Sequence, residues 1–116
     1  MAFEEAAARL TIHLSASARW HHRPAYAEIV HRAHAQGLSG ASVFHAIEGY
    51  GLHLEIHRDR PSRIRTQGPC AVVVVESEER LRAFLDTLED VLSDHGLAIL
   101  DRVSVRSRRH RPSHRA

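Results

Sequence analysis

Residues 70–92 read CAVVVVESEERLRAFLDTLEDVL, and the fold follows from how that stretch divides. Cys70-Ala71-Val72-Val73-Val74-Val75 is an unbroken, β-branched run that suits an extended chain buried on both faces. It predicts a central strand, or a strand whose second face another subunit covers. The hydrophobic period then changes. Ser77 is a good N-cap, Glu78 and Glu79 complement the positive end of a helix dipole, and Leu81, Phe84, Leu85, Leu88, Val91 and Leu92 draw one apolar stripe as far as Gly96. A last strand is expected from Ala98 to Arg106.

The same grammar recurs upstream. Leu10-Thr11-Ile12-His13-Leu14-Ser15 alternates at period two and dissolves into SASARWHHRP, so a first strand ends in a loop. Pro24 suits the first position of a helix in which Tyr26, Ile29, Val30 and Ala33 fall on one side, and Gly37 supplies its C-terminal cap. Ala41 to Glu48 holds Val43, Phe44 and Ile47 in a strand-like stretch, and Leu52, Leu54 and Ile56 resume alternation after Gly49-Tyr50-Gly51. The segment RDRPSRIRTQGP reads as loop. The order strand, helix, strand, strand, helix, strand predicts an α+β, ferredoxin-like βαββαβ plan: a four-stranded antiparallel sheet with two helices on one face. The first and third strands are central in it. Two helices cover one face only, so the other side of the valine run should be buried by self-association. Residues 1–9 read as an N-terminal extension, 10–106 as the domain and 107–116 as a basic disordered tail.

Composition narrows the classes. With 116 residues, 43% hydrophobic and 26% charged, the chain has room for one core. All 16 cationic side chains are arginine, and 11 histidines accompany them. Codon bias in a GC-rich genome is one explanation of this excess, and function is the other. The histidines still make the charge pH-sensitive, raising the formal +2 toward about +13 when all are protonated. Cys70, the single cysteine, cannot form an internal disulfide, which suits a reducing cytoplasm. MAFEEAAARL carries acids where a secretory signal needs cations, and no apolar run approaches the roughly 18 residues of a membrane span. A cytoplasmic protein is the expectation.

Several residues together resemble the PII-like bacterial family known as domain of unknown function 190. They are Arg19-Trp20, Pro24 and Tyr26 opening the helix, Gly37-Leu38-Ser39-Gly40-Ala41-Ser42-Val43, Glu48-Gly49-Tyr50-Gly51, Ile56-His57 and Pro69. The resemblance covers residues 10–106 and implies a trimer like the PII signalling proteins. It also implies a loop between the second and third strands that reaches toward partners, plausible among them a membrane transporter such as a fluoride exporter. The chain has no lysine, so the ATP-contacting lysine of PII proteins has no counterpart.

Arg19-Trp20-His21-His22-Arg23 gathers four potential cations around the only tryptophan at the entry to a helix. Such a place suits a phosphate or carboxylate, with the indole stacking on a base, so an adenine nucleotide is the first candidate ligand. The alternative is a Trp20 that lids the core among solvated neighbours. Gly49 and Gly51 join this ligand set as permissive backbone, although a turn explains them as well. Arg58, Arg60, Arg63 and Arg65 make the long loop cationic and suit an acidic partner, or simply solvent. His53, Glu55 and His57 alternate on an expected strand and could offer two imidazoles and a carboxylate to a divalent metal, though such triplets are common in a histidine-rich chain. His31 and His34 read as exposed surface residues. The tail lacks interleaved aromatics, so nucleic acid is not the favoured partner. No nucleophile motif appears and Cys70 opens a buried strand, so the expectation is a binding protein and not an enzyme, the alternatives being a metal-binding trimer using His53, Glu55 and His57 or a small ferredoxin-like enzyme.

Overall fold

A computed structural model describes residues 3–47, 67–93 and 96–107. The elements are β1 (Phe3–Ser15), β2 (Arg19–Trp20), β3 (Arg23–Pro24), α1 (Ala25–Ala35), β4 (Ala41–His45), β5 (Pro69–Glu76), α2 (Glu78–Asp86), α3 (Glu89–Leu92) and β6 (Leu97–Ser107). Four of the strands form one antiparallel sheet in the order β4-β5-β1-β6. The valine strand β5 and the first strand β1 are therefore central, as the α+β ferredoxin-like plan requires.

The period-two alternation of β1 and β5 sorts their side chains. Leu10, Ile12, Val72 and Val74 are fully buried on the helix side, where they meet Ile29 and Ala33 of α1 and Leu81, Phe84, Leu88 and Val91 of the second helical segment. The stripe read from residues 81–92 is thus the core-facing one. It is not a single helix, because the chain turns at Thr87-Leu88 before α3. Ser77 caps α2 by accepting from the Arg80 amide at 3.3 Å.

Three boundaries differ from expectation. β1 starts at Phe3 instead of Leu10, so residues 3–9 are not an extension outside the fold. EEAAAR has little intrinsic strand preference, and it is the ladder from Phe3↔Ser107 to His13↔Leu97 that holds it extended. Residues 19–24, expected as loop, form a two-residue hairpin between β2 and β3. Pro24 sits at the N-cap of α1 and not in its first turn. At the far end of α1, Gly37 takes φ +72° while Leu38 N–H bonds Ala33 C=O and Gly37 N–H bonds His34 C=O, a Schellman closure one residue past the Gln36 cap.

Among the described residues no element covers the second face of the sheet. Phe44, Leu97 and Ile99 lie on it, 60%, 55% and 46% exposed, beside half-buried Val73 and Val75. No helix among the described residues is long and apolar enough to cross a membrane.

Candidate functional site

The hairpin that carries Arg19 to Arg23 stands where β1 ends and α1 begins, and the turn is made by His21 and His22. His21 takes φ +55°, unusual for a residue with a Cβ, and its ring meets Trp20 edge-on at 4.2 Å between centroids. The hairpin is anchored by a chain of charged groups. Trp20 Nε1–H donates to Asp90 Oδ2 at 3.1 Å, and the Arg32 guanidinium lies 5.1 Å from the centre of the indole ring. Arg32 then donates to both Asp90 oxygens at 2.8 and 2.9 Å, to Glu28 Oε2 at 2.8 Å and to the Thr87 carbonyl at 2.7 Å. Glu28, largely buried, takes a further bond from Arg23 Nη1 at 3.0 Å.

The forked Arg32–Asp90 contact, with single bonds from Arg32 and Arg23 to Glu28, makes this a fixed electrostatic node. The hydrogen bonds from Arg32 hold the Asp90 carboxyl at about 2, well below the usual carboxylate range, and its acidic partners raise Arg32 above the ordinary guanidinium value. Trp20 is therefore an anchor as well as a candidate stacking surface, and a base approaching it competes with Arg32 for the ring. The remaining cations stay accessible: Arg19, His21, His22 and Arg23 are exposed, and Arg19 makes one bond, Nη2 to the His22 carbonyl at 2.9 Å.

A second node lies at the opposite end of the sheet. Glu76, the last residue of β5, is 2% exposed. It accepts from Ser39 N–H at 3.0 Å, Ser39 Oγ–H at 2.9 Å, Ser77 N–H at 3.1 Å and Arg80 Nη1 at 3.3 Å. Arg80 also donates to the Gln36 carbonyl at 2.8 Å. Together these bonds fix the segment leading from α1 into β4. That segment, Ser39–Ser42, walls a groove of about 620 Å³ on the open sheet face, with Phe44, Val73, Val75 and the end of β6.

Gly49, Gly51, His53, Glu55, His57, Arg58, Arg60, Arg63 and Arg65 lie outside the described residues. No group of three or more metal-ligating side chains occurs among the described ones. Cys70 is buried 3% exposed on the helix side of β5, and burial pushes its thiol up to about 11. It is protonated and shielded at neutral pH. His45, across the ladder from Cys70, packs edge-on to Tyr26 at 5.4 Å, and its buried Nδ1 has no hydrogen-bond partner among the described residues. The residues that sequence reasoning missed are Glu28, Arg32, Glu76, Arg80 and Asp90. The i,i+4 spacing of Glu28 with Arg32 and of Glu76 with Arg80 was visible, but it marks ordinary helix-surface pairs equally often.

A βαββαβ order with helices on one face of a four-stranded antiparallel sheet is the ferredoxin-like fold, and solved PII-like proteins share it. Comparison with solved structures places the chain there: the PII-like nitrogen regulatory protein CPII of Thiomonas intermedia K12, bound to ADP, AMP and bicarbonate, superposes with a TM-score of 0.66. That match has 13% identity and covers 89% of this chain and 91% of that one. The apo form of CPII gives 0.62, again at 13% identity, over 92% and 99% of the two chains. In sequence, a UPF0166 protein of Aquifex aeolicus (strain VF5) is 35% identical over 83 residues, 72% of this chain and 77% of the relative. The family profile described as Uncharacterized ACR, DUF190, matches residues 7–105, and the chain belongs to that family. The resemblance to this family, expected over residues 10–106, is borne out.

Proposed function

We propose that this chain is a non-enzymatic, PII-like regulatory protein. It assembles as a homotrimer through the open sheet face, binds a small anionic ligand between subunits, and passes ligand occupancy to a partner through the segment between β4 and β5. The observation that carries the reading is the uncovered face itself: Phe44, Leu97 and Ile99 lie exposed on a sheet whose central valine strand is apolar on both sides. Monomers rarely leave so many large apolar side chains on one sheet face in water. The hairpin cations and the groove at Ser39–Ser42 sit at opposite ends of one subunit's sheet, so a single small ligand does not bridge them within a subunit. Head-to-tail neighbours in a closed ring bring such opposite ends together.

An adenine nucleotide is the favoured ligand, supported by the ADP and AMP in the CPII structure of like fold. Arg19, His21, His22 and Arg23 supply cationic donors for its phosphates, with Trp20 holding the hairpin and Gly49 and Gly51 offering backbone amides. Arg58, Arg60, Arg63 and Arg65 face an acidic surface on the partner, a membrane transporter such as a fluoride exporter being the preferred class. The setting is cytoplasmic, where nucleotides are plentiful.

The test is a nucleotide panel on the purified full chain, read by thermal melting and by fluorescence of Trp20, the only tryptophan. ADP, AMP or ATP should raise the melting temperature and change the emission, as expected for a ligand bound by the folded form alone. An Arg19→Ala variant, whose side chain bonds only the His22 carbonyl among the described residues, should melt as wild type without ligand and lose most of the shift. A flat response to the whole panel overturns the ligand, and a monomeric mass in solution overturns the trimer.

A further inference from the structure

The β2–β3 hairpin sorts its side chains onto two sides. Trp20 and Arg23 face one another across the ladder, and both turn to acids: Trp20 Nε1–H donates to Asp90 and Arg23 Nη1 to Glu28. Arg19 precedes Trp20 in β2, so its side chain leaves from the opposite side. The bond from Arg19 Nη2 to the His22 carbonyl ties that guanidinium to the turn, which carries the exposed His21 and His22. Arg19 meets no carboxylate among the described residues.

The Trp20 side has little left to offer a base. The indole packs half-buried against the core, its N–H is committed to Asp90, Arg32 lies 5.1 Å from the ring centre, and His21 meets it edge-on. The acceptors beside it are taken as well, because each oxygen of Asp90 and Glu28 already accepts from Arg32, Arg23 or Trp20. A base is distinguished by stacking and by matched donors and acceptors. A phosphate asks only for donors and positive charge, and the turn supplies both.

We propose that the hairpin recognises phosphate groups and not the base. Arg19, His21 and His22 hold the terminal phosphates of a ligand on the side away from Trp20, so nucleoside diphosphates of any base and inorganic pyrophosphate form one ligand class for this chain. This rests on the anionic-ligand reading above and specifies its chemistry. A ligand held by Arg19 with its base on Trp20 has to cross from one side of the hairpin to the other and displace Arg32, which four hydrogen bonds hold in place. Trp20 is a positioning residue: with Asp90 and Arg32 it fixes the strand from which Arg19 projects.

The experiment is isothermal titration calorimetry of the full chain with ADP, GDP, inorganic pyrophosphate and adenosine. Stacking a base on an aromatic ring strengthens binding on the order of tenfold or more, so tenfold is the dividing line. ADP, GDP and pyrophosphate should bind with Kd values within about tenfold of one another, and adenosine should give no heat. Arg19→Ala should weaken ADP and pyrophosphate alike, by about tenfold or more. Trp20→Phe should weaken the two by the same factor, since it acts through the position of the hairpin. ADP binding more than about tenfold tighter than both GDP and pyrophosphate, adenosine binding as tightly as ADP, a Trp20→Phe loss confined to ADP, or pyrophosphate binding that Arg19→Ala leaves intact each overturns the proposal. A chain that binds none of ADP, GDP and pyrophosphate overturns the nucleotide reading itself.

Discussion

The two ends of the sheet are held by the same chemistry in opposite surroundings. At the groove end Arg80 and a serine segment converge on Glu76, which water scarcely reaches. At the hairpin end Arg32 and Trp20 converge on Asp90, whose side chain is 57% exposed. A hydrogen bond or ion pair matters mainly through what is left behind when it is broken. Loss of a buried partner strands donors in a dry place, whereas loss of an exposed one lets water in. The comparison therefore assigns a structural role to the Glu76 node, which sets the wall of the groove, and an orienting role to the Asp90 node, which sets the position of the cationic hairpin.

The largest consequence concerns Glu76. Glu76→Ala should cost about 3 kcal/mol in denaturant unfolding, because Ser39 N–H, Ser77 N–H and the Arg80 guanidinium all lose their acceptor. Glu76→Gln should cost less, since one carbonyl oxygen remains. If the alanine variant unfolds at the wild-type midpoint, water has replaced the carboxylate and the contrast between the two ends disappears.

A smaller effect is expected at Trp20. Trp20→Phe keeps most of the ring but removes the indole donor to Asp90 and weakens the contact with Arg32, a loss of about 1 kcal/mol at a partly exposed site. The same variant should loosen the hairpin, read as faster amide exchange at residues 19–24, while exchange in β5 stays as in wild type. Faster exchange in β5 too would show that Trp20 supports the core, merging the two roles that the comparison separates.

How much of this was legible in the sequence depends on periodicity. Val72 to Val75 and the Leu81, Phe84, Leu88, Val91 stripe declared a central strand and a core-facing helical segment, because burial dictates side chains at fixed spacing. The extended state of residues 3–9 was hidden, since alanines and glutamates favour helix and only the distant β6 ladder overrides them. The Arg19 to Arg23 cluster was visible as a concentration of cations. Its anchoring was not, because Asp90 lies 70 residues away and meets Trp20 only through the packing of α3 against α1. The buried role of Glu76 was equally concealed: before a helix, a glutamate reads as a dipole partner in water.

The smallest predicted effect sharpens the comparison most directly, because it needs no substitution. The hydrogen bonds and charge of Arg32 hold Asp90 at about 2, below the ordinary carboxylate value that it recovers on unfolding. A lowered folded value means that the contribution of Asp90 is fully present above about pH 4 and is lost as pH falls toward 2. Trp20, whose N–H bonds that carboxylate, should report the loss as a fluorescence change centred near pH 2, with far-UV circular dichroism recorded alongside to separate it from unfolding. In Asp90→Asn that transition should vanish, because the carboxyl that accepts from Trp20 Nε1–H is gone. A midpoint near 4 in the wild type would mean that Arg32 does not hold Asp90 in solution, and the hairpin would then lack the fixed orientation from which its cations face a ligand.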